Sequence, residues 1–371
     1  MTTMSCRFCV LKGGGDVSTI YDVAKAANVS PKTVSRVLNG DAPVGQDTQT
    51  RVRAAILELG YVPSSAARMM RSNRSGLIGL ITGALSQDLE PAEPTGLPDL
   101  YIVQGVQRAL SQSGKTLMIA DTGGASDRVE GLLQTFLEHR VEAVIYVADF
   151  HKIIELDFAK VSQPVLLVNC YDDIGTPAIL PDDQQCQFDL VMDLVRSGHE
   201  RIAYATLAPE MQATSLRIAG YRAALEKSGL PFDDDLILQA RGSDETDDGE
   251  MLTAALRKLL AMPDRPTVIC CGNDEMALRV YGVLRSRGLR VPEEISVAGF
   301  DNYRAIAETL FPPLTTVELP YRTMGQRAAE CVLALIGGAQ KSIGEPEKVA
   351  GPVHWRSSVT ALNSVEQLRK I

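Results

Sequence analysis

Nowhere in its 371 residues does the chain approach the roughly eighteen uninterrupted apolar positions of a membrane-spanning helix, and its N-terminus lacks the long apolar segment of a secretory leader. A cytoplasmic protein with no membrane partner is the expectation. Cysteine is sparse as well: seven residues, an odd number scattered over a long chain, make no disulfide framework. Cys6 and Cys9 form one CxxC, but no second pair and no nearby histidine completes a metal site, and Gly13, Gly14 and Gly15 follow as in a loose tail. The four histidines, His139, His151, His199 and His354, show no ligand spacing and read as structural. Motifs for catalysis are missing too. There is no GxSxG, no HExxH and no phosphate-binding glycine loop, so no enzyme, catalytic residue or cofactor is expected. Asp121-Thr122-Gly123 matches the aspartic-protease tripeptide, yet it has no second copy and follows a strand pattern as an ordinary turn. The acidic stretches 233–235 and 244–248 lack the spacing of an EF-hand loop and read as solvated loops.

What the chain does have is 45% hydrophobic residues, ample for two or three domains with buried cores. Its charge is unevenly placed. The formal net charge is −9, yet residues 1–75 hold ten Lys and Arg against five Asp and Glu, net +5, and the remainder is net −14. Only the small N-terminal part has the sign needed to approach phosphates.

That basic part carries two short capped helices joined by a tight turn. Thr19 caps the first, Asp22 completes a capping box, and Val23, Ala24 and Ala27 form a buried stripe. Ser30 caps the second, Pro31 takes the first helical position, where a missing N–H costs nothing, and Val34, Val37 and Leu38 face inward. Lys32, Thr33, Ser35 and Arg36 are left outward, residue types that reach base edges and phosphates in a major groove. Residues 19–39 therefore read as a helix-turn-helix. A third helix is predicted from Thr48 to Leu59, then an extended Tyr61-Val62-Pro63, then a helix over 64–71 capped by Ser64 and too short to stand alone.

From Gly76 the pattern changes to alternating strands and helices. Apolar runs at 77–81, 116–120, 143–147, 165–169, 202–205, 268–271 and 296–300 alternate with helical spacing at 101–113, 128–140, 189–197, 216–228, 249–261, 274–287 and 321–336. Such alternation predicts parallel sheets covered by helices on both faces, and about 295 residues suit two Rossmann-like lobes with a cleft between them. Cys270 and Cys271 read as core strand residues, and Trp355 as packing in a last strand.

Several segments in one order carry a resemblance: Thr19-Ile20-Tyr21-Asp22-Val23-Ala24, Thr33-Val34-Ser35-Arg36-Val37-Leu38-Asn39, Leu59-Gly60-Tyr61-Val62-Pro63, Ser197-Gly198-His199, Asn273-Asp274-Glu275-Met276-Ala277, Gly299-Phe300-Asp301 and Pro313-Leu314-Thr315-Thr316. From about Thr19 to Ser358 the chain resembles the LacI/GalR (lactose-repressor/galactose-repressor) family of bacterial transcription regulators. The resemblance implies an α/β protein: an all-α helix-turn-helix headpiece plus a periplasmic-binding-protein-like core of two Rossmann-like lobes. The implied division is a tail at 1–17, a headpiece at 18–63, a hinge at 64–75 and a core at 76–371. Within the core, lobe one takes about 76–170 and 316–338, and lobe two about 171–313 and 345–362.

The resemblance also implies a mechanism: a repressor of sugar-utilisation genes binds a palindromic operator in double-stranded DNA as a homodimer, and a small sugar-type effector in the cleft releases it by allostery. DNA contacts are implied for Thr19, Tyr21, Ser30, Lys32, Thr33, Ser35, Arg36 and Asn39, and for Ser64, Ala67, Arg68 and Met70 of the hinge. Effector contacts are implied for Arg217, Asn273 and Asp301, whose guanidinium, amide and carboxylate together suit neighbouring hydroxyls. Two alternatives remain at this stage, a regulator with a nucleobase co-repressor and a solute-binding protein. The chain departs from the family pattern in four respects. Asn28 replaces a turn glycine, Gly45 and Gln49 replace a cap serine and a basic residue, Met70 replaces a wedge leucine, and the loop 86–98 is longer than usual.

Overall fold

The computed structural model describes residues 18–40, 43–62, 74–83, 98–158, 161–240, 248–338 and 345–362. The Cys6 and Cys9 tail, the hinge residues 64–71 and most of the loop 86–98 lie outside these residues. The chain falls into two compact units, 1–75 and 76–371.

In the first unit, helices α1 (Ile20–Ala26), α2 (Pro31–Asn39) and α3 (Gln46–Glu58) pack around Val23, Ala24, Ala27, Val34, Val52 and Ala55. The caps are as the sequence predicts. Asp22 N donates to Thr19 Oγ1 at 3.4 Å while Thr19 N donates to Asp22 Oδ2 at 2.8 Å, and Thr33 N donates to Ser30 Oγ at 3.1 Å. Asn28 takes φ +52° in the turn, the left-handed geometry that asparagine tolerates better than most residues. Two details differ from expectation. Leu38 is 36% exposed, because the small core fully buries Val34 and ends before the last turn of α2. Helix α3 starts at Gln46, two residues early, with Gly45 at a cap position that supplies no side-chain bond.

The second unit contains two six-stranded sheets. The first has the order β11-β5-β4-β3-β1-β2, built from β1 (Leu77–Thr82), β2 (Thr116–Asp121), β3 (Val144–Ile153), β4 (Val165–Tyr171), β5 (Ala178–Pro181) and β11 (Glu347–Val349), and all its pairings are parallel. The second has the order β12-β10-β9-β8-β6-β7, from β6 (Ile202–Thr206), β7 (Ile237–Gln239), β8 (Val268–Cys271), β9 (Ser296–Asp301), β10 (Thr315–Glu318) and β12 (Val353–His354). Only the β10–β12 pair is antiparallel.

The helices between them are α4 (Pro98–Leu110), α5 (Val129–Glu138), α6 (Asp183–Arg196), α7 (Gln212–Lys227), α8 (Asp248–Leu260), α9 (Asp274–Ser286), α10 (Arg304–Ala307) and α11 (Tyr321–Ile336). Glycines allow two helix pairs to meet backbone to backbone. A Cβ on Gly105 of α4 would lie 2.1 Å from the Arg322 carbonyl oxygen of α11, and one on Gly220 of α7 would lie 2.1 Å from that of Gln184 in α6.

The implied lobe boundaries need correction. β5 and β11, assigned above to lobe two, pair within the first sheet, and β10, most of which was assigned to lobe one, pairs with β9 in the second. The chain therefore crosses between lobes after Pro181, after Glu318 and after Val349. Trp355 is also corrected: β12 ends at His354, and the indole beyond it is 44% exposed.

Candidate functional site

Between the lobes lies a cavity of about 620 Å³, and Arg217, Asn273 and Asp301 all line it. This lies within the range of small-ligand sites. Arg217, on α7, is almost fully buried. Its Nε donates to Asp183 Oδ1 at 2.7 Å, its Nη1 to the Gly272 carbonyl at 2.5 Å, and its guanidinium lies 3.6 Å from the centre of the Phe300 ring. These bonds use two of its five N–H groups and fix the plane in which the others point. Burial would lower the pKa of Arg217, but Asp183 outweighs it and the net shift is upward, so the charge is permanent.

Asn273 caps α9. Its Oδ1 accepts from Met276 N at 2.8 Å, which leaves the amide nitrogen for the cavity. Asp301 ends β9 at φ +114°, a strained backbone geometry for a residue with a side chain. Asp274 holds the next residues in place. Its carboxylate accepts from Tyr303 N at 2.7 Å and from Thr316 Oγ1 at 2.6 Å, and it fits there because residue 299 is glycine, whose Cβ would lie 2.2 Å from Asp274 Oδ1. Asp301 itself makes no side-chain hydrogen bond within the described residues. Burial pushes its pKa well above the usual carboxylate value against the pull of Arg217, and Asp274, Asp183 and Glu275 push the same way. Burial likewise pushes Asp274 up to about 7, opposed by its bonds from Thr316 and Tyr303.

Three contributors were missed in the sequence. Asn169, at φ +62° on β4, donates Nδ2 to the Ala148 carbonyl at 3.0 Å, while its buried Oδ1 has no partner among the described residues and the residue lines the cavity. His151 and Asp183 line it too, with His151 Nδ1 2.9 Å from Asp183 Oδ2. His354 lines the cavity as well and sits 2.7 Å from Glu318 Oε2. His199 is structural: its ring nitrogens meet Thr267 Oγ1 at 2.8 Å and the Thr360 carbonyl at 3.0 Å inside lobe two. The available signal for Asn169 was its place at the end of a parallel strand, where ligands of such sheets bind.

In the first unit, Thr19, Tyr21, Ser30, Lys32, Arg36 and Asn39 are exposed, Tyr21 by 71%, and Thr33 and Ser35 are half-buried. Lys32 and Arg36 share the outer side of α2. Ser30 and Thr33 are engaged with each other at the helix cap, 2.9 Å apart, and Asn39 Nδ2 donates to Ser35 Oγ at 3.3 Å. Gln49 donates to the Val44 carbonyl at 2.9 Å. Ser64, Ala67, Arg68 and Met70 lie outside the described residues. Among the described residues no helix is long and apolar enough to cross a membrane, and no cluster of His, Cys, Asp and Glu is arranged to hold a metal ion.

Comparison with known proteins matches residues 19–64 to the bacterial regulatory proteins of the lacI family and residues 191–359 to a periplasmic binding protein-like domain. The HTH-type transcriptional repressor PurR of Vibrio atlanticus is 30% identical over 323 residues, covering 86% of this chain and 92% of that protein. The ribose operon repressor of Escherichia coli K12 is 31% identical over 322 residues, covering 85% and 92%. Among solved structures, a lac repressor dimer bound to operator and the anti-inducer ONPF superposes with a TM-score of 0.73 at 26% identity, covering 93% of this chain and all of that one. A putative LacI-family regulator from Rhizobium etli gives 0.68 at 33% identity, covering 77% of this chain and all of that one. The chain belongs to the lacI family of bacterial regulatory proteins, and it is a DNA-binding transcription regulator rather than an enzyme.

Proposed function

We propose that this regulator represses sugar-utilisation genes in the cytoplasm and leaves a palindromic operator when a small, non-anionic sugar-type effector enters the inter-lobe cavity. The observation that carries the reading is the set of unused polar groups converging there: the Asp301 carboxyl, Asn169 Oδ1, the Asn273 amide nitrogen and the remaining N–H groups of Arg217. Neighbouring hydroxyls, each donor and acceptor, satisfy such a mixture. An anionic effector suits it poorly. Arg217 is already paired with Asp183 and Arg304 with Glu308, so neither guanidinium is left unpaired for an anion.

The output end is α2, with Lys32 and Arg36 reading base edges at about 1–3 kcal/mol per good bidentate contact, supported by Thr19, Tyr21, Ser30, Thr33, Ser35 and Asn39. A homodimer would set two such helices in successive major grooves, with Ser64, Ala67, Arg68 and Met70 of paired hinge helices in the minor groove between them. The exposed apolar side chains Leu278 and Phe311 suit the contact between copies: Tyr281 Oη donates to the Pro312 carbonyl at 3.0 Å, so the loop carrying Phe311 lies against the helix carrying Leu278. A coupling of about 1–3 kcal/mol between effector and operator would change affinity roughly 5–150-fold.

A thermal-shift panel of sugars and nucleobases, followed by a gel shift on the chain's own promoter, tests the reading. A sugar should raise the melting temperature and weaken the DNA complex, and Arg217→Ala should bind DNA but lose the sugar response. Tightening of the DNA complex by a nucleobase, received by cavity rings such as Tyr101 and Phe150, would establish the co-repressor alternative instead.

A further inference from the structure

His151, Asp183 and Arg217 form one buried chain of charged and polar groups across the cleft. His151 stands on β3 of the first sheet; Asp183 opens α6 and Arg217 lies on α7, both packed against the second sheet. The two oxygens of Asp183 are divided between the lobes. Oδ2 faces His151 Nδ1 at 2.9 Å, Oδ1 accepts from Arg217 Nε at 2.7 Å, and the side chains are only 6%, 1% and 4% exposed in the order His151, Asp183, Arg217. The other restraints on Arg217, the Gly272 carbonyl and the Phe300 ring, come from its own lobe. Asp183 is therefore the one partner of Arg217 that is also held from across the cleft. Burial alone would raise the Asp183 pKa, but Arg217 and His151 reverse the shift and keep the carboxylate ionised, so both its bonds are charge-assisted.

We propose that this chain is a latch: His151 holds Asp183 only while the lobes are closed, and Asp183 in turn sets the plane of Arg217. His151 and Asp183 are thus positioning residues for Arg217, and lobe closure and the geometry of effector recognition become one event. Opening the lobes takes His151 beyond hydrogen-bond reach of Asp183 and leaves that carboxylate to water and Arg217 alone. The purpose assigned to the latch rests on the reading of Arg217 as an effector contact, so the test contains no effector and either idea can fail alone.

The full-length protein, dialysed and mixed with excess unlabelled subunits, would carry two fluorophores on encoded unnatural residues at exposed Glu138 in lobe one and Lys258 in lobe two, for single-molecule energy transfer. Wild type should show one dominant short distance. His151→Leu, or His151→Ala if the leucine variant folds poorly, should lower the closed-to-open ratio about tenfold or more, as expected for loss of a bond to a charged group. His151→Asn should restore closure, because its amide nitrogen can occupy the place of Nδ1. A merely space-filling histidine would be rescued by Leu and not by Asn. The latch is overturned if the wild type is already open without ligand, if the Leu and Ala variants keep the wild-type distribution, or if Asn fails to rescue.

Discussion

The close approach of α6 and α7 offers a sharp test of how packing supports the cavity. In Gly220→Ala the new Cβ would stand 2.1 Å from the Gln184 carbonyl oxygen, 3.0 Å from its carbon and 3.1 Å from Phe188 N. All three are backbone atoms of a neighbouring helix, so no side chain can swing aside. Ordinary contact begins near 3.4 Å, and α7 must therefore retreat by about 1 Å. Overpacking of this kind costs about 1–3 kcal/mol, offset by about 1 kcal/mol because alanine is the better helix former. The retreat also strains Arg217, one turn before Gly220, against Asp183, beside Gln184: a bond of 2.7 Å lengthened by about 1 Å passes the hydrogen-bond limit. Losing a charge-assisted bond adds about 1.5–3 kcal/mol, for a net loss of about 3 kcal/mol. Melting should fall by about 6 °C at roughly 2 °C per kcal/mol for a core of this size. Gly131→Ala in α5, whose Cβ would meet nothing within 4 Å, is the control and should gain up to about 1 kcal/mol. Calorimetry or urea unfolding of both variants decides. A Gly220→Ala protein as stable as wild type would refute the argument.

Two further outcomes follow from the electrostatics and the turn. The folded-state pKa values of Asp274 and Asp301 lie above the unfolded value near 3.8, so their stabilising contribution is complete below about pH 4 and is lost as the pH rises through each folded-state value, about 7 for Asp274. Asp274→Asn removes one titrating group, so its stability relative to wild type should improve by up to about 1.4 kcal/mol per pH unit between pH 5 and 7; parallel urea-unfolding curves for the two proteins would rule the linkage out. In the headpiece, Asn28→Ala should cost about 1 kcal/mol while Asn28→Gly costs less or stabilises, because the residue sits at φ +52°; equal melting of the two variants would show that the turn does not select for left-handed geometry.

The features legible in the sequence were those set by neighbours along the chain. The caps at Thr19 and Ser30, the left-handed turn at Asn28 and the seven predicted strands each depend on a few consecutive residues, and all appear where predicted. Most short strands were invisible, the apolar β8 excepted. β5, β10 and β11 have three or four residues apiece, and their membership of a sheet is decided by partners far away in the chain, which is why the lobe boundaries shifted. The same reason hid half of the cavity. Asp183 lies 32 residues from His151 and 34 from Arg217, and helix α6, predicted to begin at Asp189, begins at Asp183 itself. Arg217, Asn273 and Asp301 were found through the resemblance, whereas Asn169 had only its place near the end of a strand to mark it and stands out in the structure by its unpaired oxygen.

Asn273 separates two demands that are usually entangled. Its oxygen belongs to the helix, as the cap of α9, and its nitrogen faces the cavity. Aspartate at this position would keep a capping oxygen and replace the amide donor with an acceptor. On the proposal that Asn273 contacts the effector, ligand preference could therefore change here by a single substitution that leaves the helix cap in place, without first passing through an unstable protein.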